Sequence, residues 1–313
     1  MSEARMLGAV DCGTNSLRLL IGEVGPDGVR VVRRETRIVG LGRGVDKTGR
    51  IAAESMERSL AALADYAGLM REAGVESAAM VATSASRDAR NADEFLDRAR
   101  AVLGGVCPDP DVRVISGREE AQLSFVGATG GIAAPGPYVV VDVGGGSTEL
   151  AVGSASEAAG TVSLAMGCVR LTERFVSADP PAEADLAGAR AYARDLLHAN
   201  EPAGLTQVRT AVAVAGTALT VAAIALGHTA LEPGLLSRER VSVSQVVTTA
   251  GLLSSMTLAE RTALGPMDPG RAQVIPCGAW ILAEVGLYLR ERAGITEFLV
   301  REEDILDGVL LGL

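Results

Sequence analysis

Two loops of similar sequence carry the residues best suited to chemistry. Residues 10–22 (VDCGTNSLRLLIG) align without gaps with residues 141–153 (VDVGGGSTELAVG). Glycine and hydroxyl residues between two strands let successive backbone N–H groups approach and bind a phosphate group. A plain hairpin turn would need neither the shared aspartate nor the shared serine, so the pair predicts phosphate-binding loops. The predicted ligands are Gly13, Thr14, Asn15, Ser16, Gly144, Gly145, Gly146, Ser147 and Thr148.

Acidic residues flank both loops. Asp11 and Asp142 each end the strand before a loop, where an aspartate can hold Mg²⁺ through water. The second loop adds Glu149, seven residues after Asp142 and across the turn, so both carboxylates can point into one cleft. The first loop has Arg18 at the equivalent position, and it is either a phosphate ligand or a surface residue of its strand.

A third glycine turn lies in residues 214–217 (VAGT), between an apolar strand and a helix. The backbone N–H groups of Gly216 and Thr217 could contribute to the same anion site. A tight packing turn between strand and helix explains the sequence equally well.

Two adjacent glutamates occur in residues 115–123 (ISGREEAQL). Ser116 and Glu119 have the spacing of a capping box, so we expect Glu119 to cap the helix that follows. Glu120 is free of that role. It is either a general base facing the cleft or a solvated carboxylate, and the spacing alone favours the solvated carboxylate.

Composition excludes several classes of protein. The 313 residues carry a net charge of −10, which argues against nonspecific binding to nucleic acid or to an anionic membrane. Two histidines exclude a three-histidine metal site, and Lys47, the only lysine, lies in no P-loop motif. The four scattered cysteines and an N-terminus unlike a signal peptide fit a reducing cytoplasm. Residues 210–231 are uncharged but too weakly hydrophobic for a membrane span.

Hydrophobic periodicity predicts the elements that position these residues. Strands are expected at 7–11, 17–24, 29–33, 78–83, 112–115, 138–142, 148–153 and 297–300, and helices at 53–72, 92–103, 117–126, 181–198, 243–254 and 272–292, before a short terminal helix. Residues 127–137 are the most loop-like stretch. Because the loop motif recurs after that stretch, the sequence predicts two similarly built α/β domains, 1–126 and 127–301, with the two loops facing across a cleft.

At these residues the chain resembles the exopolyphosphatase/guanosine pentaphosphate phosphohydrolase (Ppx/GppA) family of the actin–Hsp70–sugar kinase superfold. It is most similar to the short actinobacterial members, which lack the C-terminal helical domains of longer relatives. The matching stretches, in family order, are 10–21, 83–91 (TSASRDARN), 115–125, 139–153, 166–173 (MGCVRLTE), 213–220 (AVAGTALT), 270–275 (GRAQVI) and 302–308 (EEDILDG).

The resemblance implies two actin-like (ribonuclease H-like) domains with an interdomain cleft, the first joined by the C-terminal helix 302–313. It implies hydrolysis of a terminal phosphate from polyphosphate, in short chains, with Mg²⁺ or Mn²⁺. Glu120 matches the family's proposed catalytic base, and Arg87 matches the arginine of its TSAxR motif. Asp142 and Glu149 match the family's acids for metal and water. The expected partner is polyphosphate, with (p)ppGpp or other nucleotides and a homodimer as open alternatives, and neither nucleic acid nor a membrane is expected.

One departure from the family pattern concerns Arg271. Relatives commonly have aspartate where this chain has Gln273, so the support of Arg271 as a phosphate ligand is open. A polyanion bound to an acidic protein also requires a local cationic track. The candidates for that track are Arg170, Arg174, Arg238, Arg240 and Arg271.

The expected reaction is in-line attack of water on the terminal phosphoryl group, with Glu120 taking the proton. Two alternatives stay open: an enzyme that prefers pppGpp to polyphosphate, and a catalytically weak sensor that binds either compound. The intact set of Glu120, Asp142 and Glu149 argues against the sensor.

Overall fold

The computed structural model describes residues 4–26, 28–154 and 157–313 and contains two β-sheets. The first half of the chain, residues 4–129, contains β1 (Arg5–Cys12), β2 (Ser16–Gly25), β3 (Gly28–Ile38), α1 (Val45–Thr48), α2 (Ala53–Glu72), β4 (Ser77–Ala82), α3 (Ser84–Asp88), α4 (Ala92–Leu103), β5 (Asp111–Val114) and α5 (Gly117–Thr129). The second half, residues 130–313, contains β6 (Tyr138–Val143), β7 (Thr148–Ser154), β8 (Glu157–Leu164), α6 (Cys168–Phe175), α7 (Glu183–Ala199), β9 (Thr210–Val214), α8 (Ala215–Ala225), β10 (Arg240–Ser242), α9 (Val243–Ser255), α10 (Leu258–Thr262), α11 (Ile275–Ala293), β11 (Glu297–Val300) and α12 (Ile305–Leu311).

The two sheets repeat one topology. The first has the strand order β3-β2-β1-β4-β5, and the second has β8-β7-β6-β9-β11 followed by β10. In each, the first strand of the half pairs antiparallel with its hairpin partner and parallel with the strand on its other side. The two turns are also alike: Gly13 N donates to Ser16 O at 2.9 Å, and Gly144 N to Ser147 O at 3.0 Å. The repeat found in the sequence is therefore a structural repeat.

Each sheet is covered by helices that bury an apolar face. In α2, which spans the predicted residues 53–72, Met56, Leu60, Leu63 and Met70 are buried against the first sheet. The long helix α11 buries most of its length in the core of the second half, where Phe298 and Val300 also lie. Helical periodicity of apolar residues accounts for both helices.

Two helices are exchanged between the sheets. Although α5 follows the last strand of the first sheet, it buries Phe125 against Val140 and Val212 of the second sheet. Conversely, α12 follows the second sheet and buries Ile305 against Leu7 of the first. The chain therefore crosses between the two sheets twice, and the division at residue 126 stays a prediction.

The two exchanged helices cross in contact. At their crossing lie Gly127 and Gly308, and a Cβ on Gly308 would fall 2.1 Å from the carbonyl oxygen of Leu123. Only glycine permits so close an approach of two helix backbones. The first three residues of the predicted loop, 127–129, belong to α5.

Several short elements were not predicted. The strand β8 carries small residues without a clear alternation, and α6 has only eight residues, so neither gives a strong periodic signal. All four cysteines are buried and free. Within the described residues, every helix is too short or too polar to cross a lipid bilayer.

Candidate active site

A cavity of about 560 Å³, part of it open to solvent, lies between the two repeated loops. The predicted site residues that line it are Asp11, Gly13, Thr14, Asn15, Ser16, Arg18, Glu120, Asp142, Gly144, Gly145, Gly146, Ser147, Gly216, Thr217 and Arg271. Three others, Arg87, Thr148 and Glu149, are not part of its lining. The structure thus brings residues from five separate stretches of the chain to one place.

The two loops approach each other closely. A Cβ on Gly146 would lie 2.7 Å from Oγ1 of Thr14, and one on Gly145 would lie 3.0 Å from the backbone nitrogen of Asn15. Oγ1 of Thr14 and both polar side-chain atoms of Asn15 are buried without a hydrogen-bond partner among the described residues. Unpaired buried polar atoms cost free energy, so atoms of this kind in a cavity wall indicate a site for a polar ligand.

The flanking residues of the two hairpins differ in charge. Asp11 lies directly opposite Arg18 on the neighbouring strand, and Asp142 lies directly opposite Glu149. Nη2 of Arg18 donates to Asp11 at 2.8 Å, and its Nη1 donates to Asp304. The first pair is therefore an ion pair, whereas the second consists of two acids.

This contrast bears on two predictions. Arg18 lines the cavity and is not a surface residue, and two carboxylates hold its guanidinium. Asp11 is paired with Arg18, and its role as a metal ligand stays a prediction. The structure contains no cluster of three or more acidic, histidine or cysteine side chains arranged to hold a metal ion, within the residues it describes.

The second acid pair is suited to a cation. The hydroxyl of Ser163 donates to Oε1 of Glu149 at 2.6 Å, while Oε2 has no partner among the described residues. Burial raises the pKa of Asp142 to about 6, and burial, with repulsion from Glu120 and Asp142, raises the pKa of Glu149 well above its usual value. Two adjacent buried acids with raised pKa values fit a divalent cation held by one or two carboxylates and otherwise by water and phosphate, as Mg²⁺ commonly is.

Glu120 lies in the first turn of α5 and is buried, so it is not the solvated carboxylate that its spacing favoured. Burial raises the pKa of Glu120 to about 7, although Arg87, whose Nη1 donates to Oε2 at 2.6 Å, opposes the shift.

The neighbouring Glu119 has only part of its predicted role as a helix cap. Its backbone nitrogen donates to Oγ of Ser116 at 3.2 Å, but its carboxylate pairs with Arg113.

Arg87 bridges the two halves behind the cavity. Besides Glu120, it donates to the carbonyl oxygen of Ile115 at 3.1 Å and to Oγ of Ser147 at 3.4 Å. It therefore links the buried glutamate to the second loop. Thr148 does not line the cavity: its hydroxyl donates to the carbonyl oxygen of Met166 at 2.6 Å, and its role as a phosphate ligand stays a prediction.

The third glycine turn joins β9 to α8 as expected and places Arg271 at the cavity. A Cβ on Gly216 would lie 2.2 Å from Nη2 of Arg271, so a larger residue there would displace the guanidinium from its present place. The guanidinium of Arg271 makes no hydrogen bond or ion pair with any residue that the structure describes. Gln273 is exposed and does not support it.

Ala215, just before Gly216, has a φ of 64°, a strained value for alanine.

The predicted cationic track is not one surface. Arg170 and Arg174 pair with Asp46, and Arg170 also pairs with Asp88. Arg240 pairs with Glu297, and Arg238 is exposed. Of the five candidates, Arg271 alone lines the cavity.

Three serines of the site were not predicted from the sequence. Ser124 donates its hydroxyl to Asp142 at 3.1 Å, and its position one helical turn after Glu120 could have indicated it. Ser84 lines the cavity and lies in the stretch that contains Arg87. Nothing in the sequence pointed to Ser163 on β8.

Comparisons with known proteins agree with this architecture. The model of the Ppx/GppA phosphatase family matches residues 20–312. Exopolyphosphatase 2 of Mycobacterium tuberculosis is 46% identical over 314 residues, covering 97% of each chain. A solved exopolyphosphatase-like protein has 36% identity and a TM-score of 0.91, with 98% of each chain covered. An exopolyphosphatase from Cytophaga hutchinsonii has 26% identity and a TM-score of 0.84, covering 98% of this chain and 97% of its own.

These matches confirm the predicted fold, two actin-like α/β units with a cleft between them. They extend over nearly the whole length of both partners, and the family match includes Glu120, both acids of the second hairpin and Arg271. The chain therefore belongs to the Ppx/GppA phosphatase family.

Proposed function

We propose that the chain is an exopolyphosphatase that releases orthophosphate from the end of inorganic polyphosphate, with Glu120 as the general base. The observation that carries the proposal is the buried Glu120 at a cavity that lies between the two repeated loops, the first of which has unpaired polar atoms among the described residues. The 46% identity to a protein named exopolyphosphatase 2 supports the same substrate class.

In this mechanism the chain's own groups bind phosphate and move one proton. The N–H groups of the two loops and the guanidinium of Arg271 bind the terminal phosphates. Oε2 of Glu120, held by Arg87, accepts the proton of the attacking water. A pKa of about 7 leaves a substantial fraction of Glu120 ionised at neutral pH while keeping it basic enough to accept that proton.

The first test separates the two adjacent glutamates. Glu120→Gln removes the proton acceptor and keeps the shape, so we expect single-turnover hydrolysis of tripolyphosphate to slow by roughly 10²–10⁴-fold. Glu119→Gln is the matched control, because its carboxylate faces Arg113 outside the cavity. It should change the rate little. A slow Glu119→Gln enzyme beside a normal Glu120→Gln enzyme would refute the assignment.

We further propose that Mg²⁺ or Mn²⁺ is held at the second hairpin by Asp142 and Glu149. The bound cation would offset negative charge on the phosphoryl oxygens in the transition state. The support is the contrast between the hairpins, since the second places two acids directly opposite each other where the first places an acid opposite an arginine.

Removal of one acid tests this cation site. In Asp142→Asn we expect activity to require a higher Mg²⁺ concentration or to be lost, and Mg²⁺ to raise the melting temperature less than in the parent protein. Asp195→Asn, an exposed change on α7, is the control and should behave as the parent does. Full activity of Asp142→Asn in EDTA would contradict the proposal.

The preference for short polyphosphate is tested by comparing substrates. We expect the highest kcat/KM with short polyphosphates, measured beside long polyphosphate, pppGpp and ATP under the same conditions. A higher kcat/KM for pppGpp would assign the enzyme to guanosine pentaphosphate instead.

A further inference from the structure

Arg261, in the short helix α10, is the largest side chain that is almost completely buried, with 2% of its surface exposed. Its guanidinium makes four contacts. Nε donates to the carbonyl oxygen of Ala272 at 2.7 Å, and Nη1 donates to the carbonyl oxygens of Leu253 and Met256. Nη2 donates to Oδ1 of Asp179 at 2.7 Å. A buried cation with so many partners orders the backbone segments that it joins.

One of those segments ends at the cavity. Ala272 is the neighbour of Arg271, and its carbonyl is the acceptor for Nε of Arg261. On the other side, the backbone nitrogen of Arg271 donates to the carbonyl oxygen of Asp268 at 2.9 Å, and that of Ile275 donates to the carbonyl of Arg271 at 3.0 Å. Arg261 therefore fixes, from the protein interior, the backbone from which Arg271 reaches the cavity.

The side chain of Arg271 has no such support of its own. Its guanidinium has no hydrogen-bonding partner within the described part of the chain, and it lies against Gly216. Gln273 is exposed. The direction of Arg271 is thus set by its backbone and by the flat contact with Gly216, and a shift of the backbone at residue 272 would move the guanidinium with it.

We infer that Arg261 is a positioning residue for phosphate binding, acting through Arg271 without touching the substrate. The inference rests on the proposed function, in which Arg271 binds a phosphate of the substrate. Asp179 completes the arrangement because it holds Arg261 through Oδ1 and accepts from the backbone nitrogen of Leu258 at 2.8 Å through Oδ2.

A double-mutant cycle tests the inference, with kcat/KM and KM for tripolyphosphate measured well below the melting temperature of every variant. Arg271→Met should lower kcat/KM by about 10- to 100-fold through a higher KM, as expected for a lost charge-assisted contact. Arg261→Met should lower it in the same way. In the double variant the loss should equal that of Arg271→Met alone, because Arg261 has nothing left to position.

Two further variants separate positioning from stability. Arg190→Met removes an arginine paired with the buried Glu284 at 2.7 Å in the same half, away from the cavity. It should lower the melting temperature without changing KM. If Arg261→Met does not fold, Asp179→Asn, which weakens one anchor at a half-exposed position, should still raise KM by about 2- to 5-fold.

The outcomes distinguish the inference from the proposed function. If Arg271→Met impairs the enzyme but Arg261→Met and Asp179→Asn do not, or if the losses multiply in the double variant, the inference is overturned and the proposed function stands. If Arg271→Met leaves kcat/KM unchanged, the proposed phosphate-binding role of Arg271 fails and the inference fails with it.

Discussion

At the scale of single residues, the state of Glu120 is set by two opposing effects. Burial raises its pKa to about 7, and the adjacent guanidinium of Arg87 lowers it. Since Arg87 also contacts Ser147, the charge that tunes the glutamate comes from the residue that ties it to the second loop. Arg87 therefore lowers the pKa of Glu120 and contacts the second half at the same time.

Removal of that charge should change the pH dependence of the reaction. In Arg87→Met the ionised form of Glu120 loses its partner, so its pKa should rise further. We expect the acidic limb of the profile of kcat/KM against pH to move upward by about one pH unit. Activity at pH 6 should then fall more than activity at pH 9. Arg90→Met is the control, because this arginine donates to the Thr48 carbonyl away from the cavity, and an unmoved limb in Arg87→Met would contradict the expected effect.

The repeated loop motif predicted most of the cavity wall, because glycine and hydroxyl residues at the end of a strand indicate a phosphate-binding turn without reference to distant residues. The state of the carboxyl groups was not predictable, since it depends on burial and on partners far along the chain. Spacing alone placed Glu120 in solvent, and no local pattern showed that Arg18 pairs with Asp304, 286 residues away. No sequence pattern indicated the role of Arg261, because its partners are mainly backbone carbonyls.

At the scale of elements, the turn from β9 into α8 contains strain next to the cavity. Ala215 adopts a φ of 64°, where an alanine side chain is crowded by its own backbone. The conformation lets Gly216 and Thr217 follow directly with their backbones at the cavity wall. The strain is thus located where the proposed anion site needs a sharp turn.

This strain can be measured by substitution. Ala215→Gly should leave the free energy of unfolding unchanged or raise it by up to about 1 kcal/mol, because glycine adopts positive φ without strain. Ala222→Gly in the same helix has ordinary helical geometry and a buried side chain, and it should lower the free energy by about 1 kcal/mol or more. Urea denaturation of both variants is the measurement. An equal loss in the two would show that Ala215 is not strained.

Among the elements, long periodic helices were predicted well and short or small-residue elements were not. The bounds of α2 and α4 follow from apolar residues at helical spacing above a polar face. The edge strand β8, rich in alanine and other small residues, has no alternation strong enough to identify it. Local sequence patterns do not predict the exchange of α5 and α12, because the apolar face of a helix does not indicate which of the two sheets it packs against.

At the scale of the whole molecule, ion pairs join the two halves at the rim of the cleft. Arg170 of α6 lies between Asp46 and Asp88, and its Nε donates to the carbonyl oxygen of Gly146 at 2.8 Å. In addition, the backbone nitrogen of Gly44 donates to Glu173 at 2.9 Å. These contacts hold the second loop and α6 against the first half.

Partly exposed ion pairs weaken in salt, so the separation of the halves should depend on ionic strength. We expect Asp46→Asn, which removes the partner of two arginines, to increase the radius of gyration in small-angle X-ray scattering at low salt. The parent protein should approach that value as KCl rises. Glu57→Gln, which breaks an exposed pair within the first half, is the control. Identical scattering by the parent and Asp46→Asn at every salt concentration would exclude this role.

The exchange of α5 and α12 has a consequence for synthesis of the chain. The apolar residues Leu7 and Leu20 of the first sheet are covered by Ile305 and Leu310 of α12, about 300 residues later. At the usual speed of translation, roughly 15–60 s separate the appearance of the two sets of residues. During that time the first sheet has one apolar face without its native cover, which is the condition under which nascent chains bind chaperones. The strands of this sheet are synthesised first, but the helix that covers one of its faces forms only when residues 305–311 emerge from the ribosome.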